Sequence, residues 1–558
     1  MTAPALNDFI KAYDVRGLVP DQLSPRVARE LGAAFAQVVV RPEGANAIVV
    51  GHDMRPSSPE LSRAFADGAA AYGVDVTLIG LCSTDGLYFA SGALDLPGAM
   101  FTASHNPAQY NGIKLCRAGA RPVSLETGLA EIRDLAQWAL DRGQGVPFDG
   151  PAGSVTEREM LREYAEFLRG LVDLSGGRPL KVVVDAGNGM GGHTVPAVLG
   201  TDAGLAQLPL DIVPLYFELD GTFPNHEANP LEPANLVDLQ QAVVEHGADI
   251  GLAFDGDADR CFVIDERGQP VTPSAVTALV AEREIAKEVA RGAAAADVKV
   301  VANLISSRAV GEVIAENGAQ PVRTRVGHSF IKAQMAEHDA VFGGEHSAHY
   351  YFRDFWFADT GMLAAMHVLA ALGERDAPLS QLVAAYARYE ASGEINSTVS
   401  DAAAATGRVR TWVASQGEFT EDALDGVTFV HEGAGESDPM WWLNLRASNT
   451  EPLLRLNVEA ADTANHGARA RRRARRRPRR RSSVNDDKSR RPLTIDPWLR
   501  EILRCPVTGT ELEDASDASG APVLVSTGVD AERGGRLQYP IRDGIPVLLA
   551  DDASVLPA

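Results

Sequence analysis

The chain of 558 residues has 45% hydrophobic and 23% charged side chains, which is typical of a globular protein of roughly three to five domains. Its formal net charge of −23 argues against a general binder of nucleic acid or of anionic membranes. The first residues show no basic region followed by an apolar stretch, and no run reaches the roughly 18 apolar residues of a membrane span. We therefore expect a cytoplasmic protein.

Short β-branched runs alternate with Ala/Leu/Glu-rich stretches over the first 460 residues. Residues 46–53 predict a buried strand, 58–73 a helix with Ser57 or Ser58 near its N-cap, and 74–80 the next strand. Repeated units of this kind predict layered α/β domains. The same alternation returns at 181–189, 210–217, 248–257 and 297–304.

Pauses in this pattern near 143–154, 259–273 and 373–378 predict four domains before residue 465. A thirteen-residue segment at 469–481 then holds ten arginines and cannot form a packed face, so we expect a disordered linker there. Apolar sequence resumes afterwards. The predicted boundaries are 1–150, 151–257, 258–375, 376–464, a linker at 465–491 and a small β-rich domain at 492–558.

The four cysteines stand far apart and form no C-x-x-C pair. We predict neither a disulfide framework nor a cysteine zinc site, and expect four small buried residues. They are Cys82, Cys116, Cys261 and Cys505.

The sequence FDGDADR places Asp255, Asp257 and Asp259 at alternate positions between two apolar runs. An extended segment would point all three carboxylates to one side, and a tight loop could equally gather them around one cation. Hard oxygen ligands favour Mg²⁺ or Ca²⁺ over zinc. A polar turn is the plain alternative. A calcium EF-hand is excluded because Arg260 stands where that loop needs glycine, and because the flanks are strand-like.

Two further motifs have open interpretations. The sequence GNGMGG at 187–192 satisfies G-x-G-x-x-G after a predicted strand. The negative charge of Asp185 would have no partner beside a pyrophosphate, which favours a simple glycine-rich turn over a dinucleotide site.

The sequence RASNTEPLLR at 446–455 combines an arginine with hydroxyl and amide donors, which suits a phosphate dianion. A surface salt bridge is the alternative for Arg446.

The sequence TASHNP sets Ser104 beside His105 at the end of a predicted strand. A serine hydrolase is disfavoured because adjacent residues of an extended segment point to opposite faces, and because G-x-S-x-G is absent.

Four motifs together resemble the α-D-phosphohexomutases, most closely their bacterial phosphomannomutase/phosphoglucomutase branch. The motifs TASHNPAQYNGIK, FDGDADR, GEHSAHYYF and RASNTEPLLR occur in the family's order over about residues 5–462. The resemblance implies an α/β fold of four domains around a cleft, three of related topology and a smaller fourth α+β domain.

The resemblance also implies site residues. Ser104 matches the serine that carries the phosphoryl group, and the three aspartates match the ligands of Mg²⁺ against that phosphate. Arg16 and Arg260 are helpers, and His105 and Lys114 are acid/base candidates. The residues implied in substrate binding are Tyr13, His328, Glu345, Ser347, His349, Arg446, Ser448, Asn449, Thr450 and Arg455, with Lys332 beside His328.

The implied reaction is the interconversion of mannose 6-phosphate and mannose 1-phosphate, a step that supplies nucleotide-sugar (GDP-mannose) synthesis. Phosphoserine gives its group to a hexose phosphate, the 1,6-bisphosphate turns over in the cleft, and the opposite phosphate returns to the serine. Hexose 1,6-bisphosphate is then the expected activator and hexose phosphates the partners. Glucose phosphates are a second expected substrate, and phosphoglucomutase or phosphoglucosamine mutase activity stays open. The sequence leaves the oligomeric state open and is compatible with a monomer.

Two segments depart from the family. Ile305 stands where some members carry a lysine, so a substrate contact of those members has no counterpart here. Residues 493–551 resemble small Trm112-like or zinc-ribbon-like proteins, yet only Cys505 remains of a ligand pair, which argues against zinc. Two non-enzymatic alternatives follow: RNA binding through the arginines, which the net charge opposes, or a methyltransferase-partner role of the tail.

Overall fold

The protein is described by a computed structural model with two compact units, Met1–Ala387 and Arg388–Ala558. The structure describes residues 4–11, 13–399, 401–435, 438–447, 453–461, 505, 507–508, 510–517, 521–530, 533–542, 545–546 and 553–557. Among these residues no helix is both long and apolar enough to cross a membrane.

The first unit begins with a seven-stranded mixed sheet covered by helices. Its elements are β1 (Val15–Leu18), α1 (Pro25–Phe35), β2 (Ala47–His52), α2 (Ser58–Ala71), β3 (Asp75–Leu81), α3 (Thr84–Leu94), β4 (Gly98–Phe101), β5 (Tyr110–Arg117), β6 (Arg121–Pro122), α4 (Leu129–Arg142) and β7 (Val155–Glu157).

Two five-stranded sheets follow in the same unit. The second sheet region contains α5 (Leu161–Leu171), β8 (Leu180–Asp185), α6 (Gly191–Val198), β9 (Leu210–Leu215), α7 (Val237–His246), β10 (Ile250–Phe254), β11 (Cys261–Asp265) and β12 (Pro270–Val271). The third contains α8 (Pro273–Ala290), β13 (Lys299–Asn303), α9 (Arg308–Glu316), β14 (Gln320–Thr324), α10 (His328–His338), β15 (Phe342–Gly344), β16 (Tyr350–Phe352), β17 (Ala358–Asp359), α11 (Gly361–Gly373) and α12 (Leu379–Val383).

The three sheets share one strand arrangement. Five strands of the first sheet, in the order β3-β2-β4-β5-β1, correspond to β9-β8-β10-β11-β12 and β14-β13-β15-β16-β17 of the other two; β7 extends the first sheet beyond β3, and β6 pairs with β5. In each order the first three strands are parallel to one another, and each of the last two strands is antiparallel to the strand before it. The loop that leaves the third strand therefore has the same place in each sheet. These loops are 102–109, 255–260 and 345–349.

The central strands are apolar because helices cover both faces of the sheets. Every residue of β10 is buried, as is every residue of β4. Helices α1 and α2 approach so closely that a Cβ on Gly68 would lie 1.9 Å from the carbonyl oxygen of Arg29. Glycine at this crossing lets the two backbones touch.

The second unit holds two antiparallel sheets. The first consists of β18 (Tyr389–Thr398), β19 (Thr420–Asp422), β20 (Val427–His431), β21 (Trp441–Ala447) and β22 (Leu453–Ala461), with the helix α13 (Ala402–Ser415). The other consists of β23 (Leu512–Ser516), β24 (Pro522–Asp530), β25 (Gly535–Arg542), β26 (Ile545–Pro546) and β27 (Ser554–Pro557). Three related α/β sheets, a smaller α+β part and a β-rich tail confirm the predicted fold class.

The local predictions compare closely with the structure. The predicted strands are present, α2 has Ser57 at its N-cap, and the four cysteines are buried and free. The first sheet extends to Glu157 because β7 pairs with β3, and the second extends through β12. Both sheets thus run past residues 150 and 257, where sequence pauses place the boundaries. The linker at 465–491 lies outside the described residues.

Candidate active site

Each of the three equivalent loops bends sharply at one residue. Ser104, Ala258 and Ala348 have φ of 51°, 60° and 63°, a left-handed conformation that non-glycine residues adopt rarely and mostly in tight turns. Gly256 lies against the serine loop, where a Cβ would be 2.4 Å from the carbonyl oxygen of Ser104. The serine loop and the aspartate loop are thus in backbone contact.

The aspartate loop gathers three carboxylates at one point. Each of Asp255, Asp257 and Asp259 is buried and offers an oxygen within 4.8 Å of those of the other two. One buried oxygen of Asp257 and one of Asp259, the Oδ1 atoms, accept no hydrogen bond from the described residues. Buried carboxylate oxygens without partners fit a hard cation such as Mg²⁺, which therefore suits this donor set.

Two cations compensate the aspartates. Lys114 Nζ lies 2.6 Å from Asp257 Oδ2 and 2.6 Å from Asp259 Oδ2, and Arg260 Nε lies 2.8 Å from Asp255 Oδ2. Burial raises the pKa of Asp255 to about 8 despite Arg260. Burial also opposes ionisation of Asp257, but Lys114 holds the pKa of that carboxyl below its usual range. The described side chains therefore neutralise the carboxylates of the aspartate loop only partly, so the loop suits a bound cation.

The hydroxyl of Ser104 faces the aspartate loop. Its Oγ donates to Asp255 Oδ2 at 3.1 Å and lies 3.3 Å from His105 Nδ1. The predicted opposite orientation of Ser104 and His105 is therefore wrong. The left-handed φ of Ser104 turns the chain, so the two neighbouring side chains lie on the same side.

His105 is held as a neutral ring. Burial lowers its pKa to about 2, with further lowering by Arg260 and Arg16. Arg260 Nη2 lies 2.6 Å from His105 Nδ1, an arrangement in which the guanidinium donates to the ring.

Arg16 joins the N-terminal segment to the serine loop. Its Nε donates to Asp14 at 2.8 Å, and its Nη1 donates to the side chain of Asn106. Tyr13 lies further along, with its hydroxyl 3.7 Å from the position of a Cβ on Gly327. The N-terminal motif therefore reaches both the serine loop and the segment that precedes α10.

Sequence reasoning missed Arg55, which holds the serine loop from behind. This arginine is 1% exposed and pairs with Asp53 at 3.3 Å. Its guanidinium donates to four backbone carbonyls, those of Ser104, Asn106, Pro107 and Tyr110, at 2.6 to 3.0 Å. The only sequence signal is a charged pair directly after a buried strand, a position where loops of α/β sheets carry function.

The third loop is organised around Glu345. Its carboxylate accepts hydrogen bonds from Tyr351 Oη at 2.7 Å and from the backbone of Gly327 at 3.1 Å. Ser347 Oγ lies 2.9 Å from His349 Nδ1, and His349 Nε2 lies 3.7 Å from Asp259 Oδ1. A backbone bridge pairs His349 with Arg260. The aspartate loop and the third loop therefore meet directly.

Helix α10 carries a buried lysine, Lys332. Its Nζ lies 2.5 Å from Asp359 Oδ1 and 4.3 Å from the centre of the Tyr88 ring. His328 begins α10, and its side chain lies outside the described residues. Ile305 is 8% exposed, so its side chain packs inside the protein.

Arg446 and Arg455 stand opposite each other on β21 and β22 of the second unit. Arg455 Nη1 lies 3.2 Å from Glu394, while Arg446 lies 3.7 Å from Glu394 and 3.8 Å from Asp425. Ser448, Asn449 and Thr450 lie outside the described residues.

The glycine motif at 187–192 is a turn that supports the aspartate loop. Gly187 has φ of 51°, and Met190 donates its backbone N–H to the carbonyl of Gly256 at 2.9 Å. A Cβ on Gly189 would lie 2.7 Å from that same oxygen. These glycines serve a close backbone approach, as the plain interpretation predicts.

Three copies of one α/β sheet, with a serine loop against a carboxylate loop, define the class as a multidomain α/β phosphotransfer enzyme. Four family models match the chain: phosphoglucomutase/phosphomannomutase domain I at 8–139, domain II at 162–268, domain III at 272–389 and the C-terminal domain at 394–476. The chain therefore belongs to the phosphoglucomutase/phosphomannomutase family.

Individual relatives agree. The chain is 40% identical to a phosphomannomutase of Escherichia coli over 81% of this chain and 95% of that protein, and 41% identical to phosphohexose mutases of Xanthomonas campestris pv. campestris over 83% and 96%. A crystal structure of a phosphoglucomutase/phosphomannomutase family protein from Burkholderia thailandensis matches with a TM-score of 0.70 and 30% identity, covering 85% of this chain and 97% of that one.

Proposed function

We propose that this enzyme is a phosphomannomutase that interconverts mannose 6-phosphate and mannose 1-phosphate and also accepts glucose phosphates. The observation that carries the proposal is the hydroxyl of Ser104 at 3.1 Å from Asp255, one of three aspartates of which two have a buried oxygen without a hydrogen bond from the described residues. The names of relatives that are 39% and 40% identical over most of the chain support the choice of sugar.

The proposed metal-holding residues are Asp255, Asp257 and Asp259, with the phosphate carried by Ser104. Bound Mg²⁺ would supply positive charge to the transferring phosphoryl oxygens, which is the main electrostatic demand of this chemistry. Arg260 contributes a guanidinium already held beside Ser104 and His105, and Arg55 fixes the loop backbone. The transferring group would thus meet fixed charges that need no reorganisation.

In the proposed step, the bond between phosphorus and Ser104 Oγ breaks while a bond to a sugar hydroxyl oxygen forms. The sugar proton passes to a base, and Ser104 leaves as an alkoxide that takes a proton. Lys114 and His105 are the candidates for these two proton transfers because of where they lie. His105 Nδ1 is 3.3 Å from Ser104 Oγ, and Lys114 Nζ is 2.6 Å from Asp257 Oδ2 in the adjoining loop.

The sugar and its distal phosphate are assigned to other loops. We assign sugar hydroxyls to Glu345, Ser347 and His349, with Tyr13 and His328 near the ring. The distal phosphate is assigned to Arg446, Ser448, Asn449, Thr450 and Arg455, because an arginine on each of two paired strands suits a dianion. One site of this kind would accept either end of a hexose bisphosphate.

Several finer assignments belong to the same proposal. The division into four domains is that given by the sequence pauses, hexose 1,6-bisphosphate activates the enzyme by reloading Ser104, and the enzyme works in the cytoplasm. Its oligomeric state stays open, and a monomer is compatible with the sequence. The tail at 492–558 is a Trm112-like domain without zinc, in which Cys505 Sγ lies 3.1 Å from Tyr539 Oη. A partner protein that co-purifies with the tail would favour a methyltransferase-partner role for it.

A coupled assay of mannose 1-phosphate, glucose 1-phosphate and glucosamine 1-phosphate on one preparation tests the proposal. We expect the first two to turn over, and phosphate on the Ser104 peptide by mass spectrometry. A clear preference for glucosamine phosphate, or full activity with an unmodified Ser104, would contradict it.

A further inference from the structure

The turn that begins α3 follows β3 of the first sheet and contacts elements of the second and third sheet regions. It consists of Ser83, Thr84 and Asp85, which are all fully buried although all are polar. Buried polar side chains of this kind are retained only where each finds partners, and a cluster with partners on several elements fixes their relative position.

Thr84 binds the aspartate loop twice. Its hydroxyl donates to Asp257 Oδ2 at 2.5 Å, and its backbone N–H donates to the carbonyl oxygen of Asp257 at 3.0 Å. The hydroxyl shares Oδ2 with Lys114, so Asp257 Oδ1 is the oxygen left without a hydrogen bond among the described residues. Two contacts to one residue fix both its backbone and the rotation of its carboxylate.

Asp85 fastens the same turn to the other two sheet regions. Its Oδ2 accepts from Tyr164 Oη on α5 at 2.7 Å and from Thr360 Oγ1 at 2.7 Å, while Ser83 Oγ donates to its Oδ1. Thr360 also caps α11, and its N–H donates to the carbonyl of Tyr350 on β16 at 3.0 Å. The aspartate loop is thereby connected through Asp85 to the strand that follows the third loop.

We propose that Thr84 and Asp85 are positioning residues for the metal-binding carboxylate of Asp257. Thr84 turns Asp257 so that Oδ1 points to the cation site, and Asp85 holds Thr84 in place against the second and third sheets. The inference rests on the proposed function for its catalytic consequence, but its structural part concerns the metal-binding geometry alone. Neither residue touches the substrate in this role.

Direct metal binding provides a test that does not depend on turnover. Isothermal titration of the full chain with MgCl₂ compares the wild type with Thr84→Val, which keeps the shape and removes the hydroxyl, and with Thr84→Ser, which restores it. We expect Mg²⁺ affinity to fall about tenfold in Thr84→Val, because a hydrogen bond to a charged group is lost, and to recover within about threefold in Thr84→Ser. Thr156→Val, an exposed threonine on β7, is the matched control and should bind as the wild type does.

Kinetics then separate positioning from substrate binding. Thr84→Val should lower kcat about tenfold with the KM for glucose 1-phosphate within about twofold, and Tyr164→Phe should lower kcat in the same direction through Asp85. Thr84→Ala replaces Thr84→Val if the valine variant does not fold. Mg²⁺ affinity of the hydroxyl-free variant within twofold of the wild type would overturn the inference. A wild type that binds Mg²⁺ normally but turns over no hexose phosphate would overturn the proposed function instead.

Discussion

A single methyl group placed between the serine loop and the aspartate loop should move the two loops apart and lower kcat. In Gly256→Ala the new Cβ would lie 2.4 Å from the carbonyl oxygen of Ser104, where packed atoms need at least 3.0 Å. That oxygen cannot yield freely, since Arg55 Nη2 donates to it at 2.9 Å. The loops must therefore part by about 0.6 Å or more.

A displacement on the order of 1 Å in a reacting pair costs on the order of 10² in rate. We expect Gly256→Ala to lose about that factor in kcat, equivalent to about 2.7 kcal/mol of transition-state stabilisation. The coupled assay measures it, and the melting temperature reports folding. Gly170→Ala is the control, because that exposed helical position has no atom within 4 Å of the new Cβ. A Gly256→Ala enzyme within twofold of the wild type in kcat would refute the reasoning.

Three further predictions follow from the same geometry. Asp257→Asn should lower kcat at least about a hundredfold and reduce bound Mg²⁺ in elemental analysis, because it removes an anionic oxygen; unchanged metal content would contradict this. Ser104→Ala should abolish the phosphopeptide and turnover while hexose phosphate still binds by calorimetry; residual phosphate on that peptide would count against the carrier role. Burial raises the pKa of Asp85 to about 6 from 3.8, so this group favours folding below pH 4 and loses that contribution, about 3 kcal/mol, as pH rises to 6. The melting temperature of Asp85→Asn relative to the wild type should therefore rise between pH 4 and pH 6.5 in calorimetry, and a flat difference would show that Asp85 does not titrate there.

The sequence predicts what is local and fails where contacts span the chain. The aspartate loop and Ser104 lie within short motifs next to apolar strands, so their types and spacing alone indicate the chemistry. Thr84 and Asp257 stand 173 positions apart, and no motif links them. The left-handed turn at Ser104 was also missed, since nothing in TASHNP marks a non-glycine residue for positive φ.

The extent of the first sheet also depends on a contact between distant segments. The strand β7 at 155–157 is short and largely exposed, so it has no apolar pattern, and only its pairing with β3 makes it part of the first sheet. The fold class could be predicted because repeated strand and helix units need only local periodicity. The boundaries between those units depend on partners that lie about 80 positions away.

The shared strand arrangement of the three sheets has an evolutionary consequence. The serine loop, the aspartate loop and the third loop each leave their own sheet after its third strand, and each is anchored by its own strands. On the proposed function, selection could change residues 345–349 to suit another sugar while the strands that present Ser104 and Asp257 keep their sequence. New substrates would then be reached by altering one repeat at a time, with the proposed phosphate-carrying chemistry inherited intact.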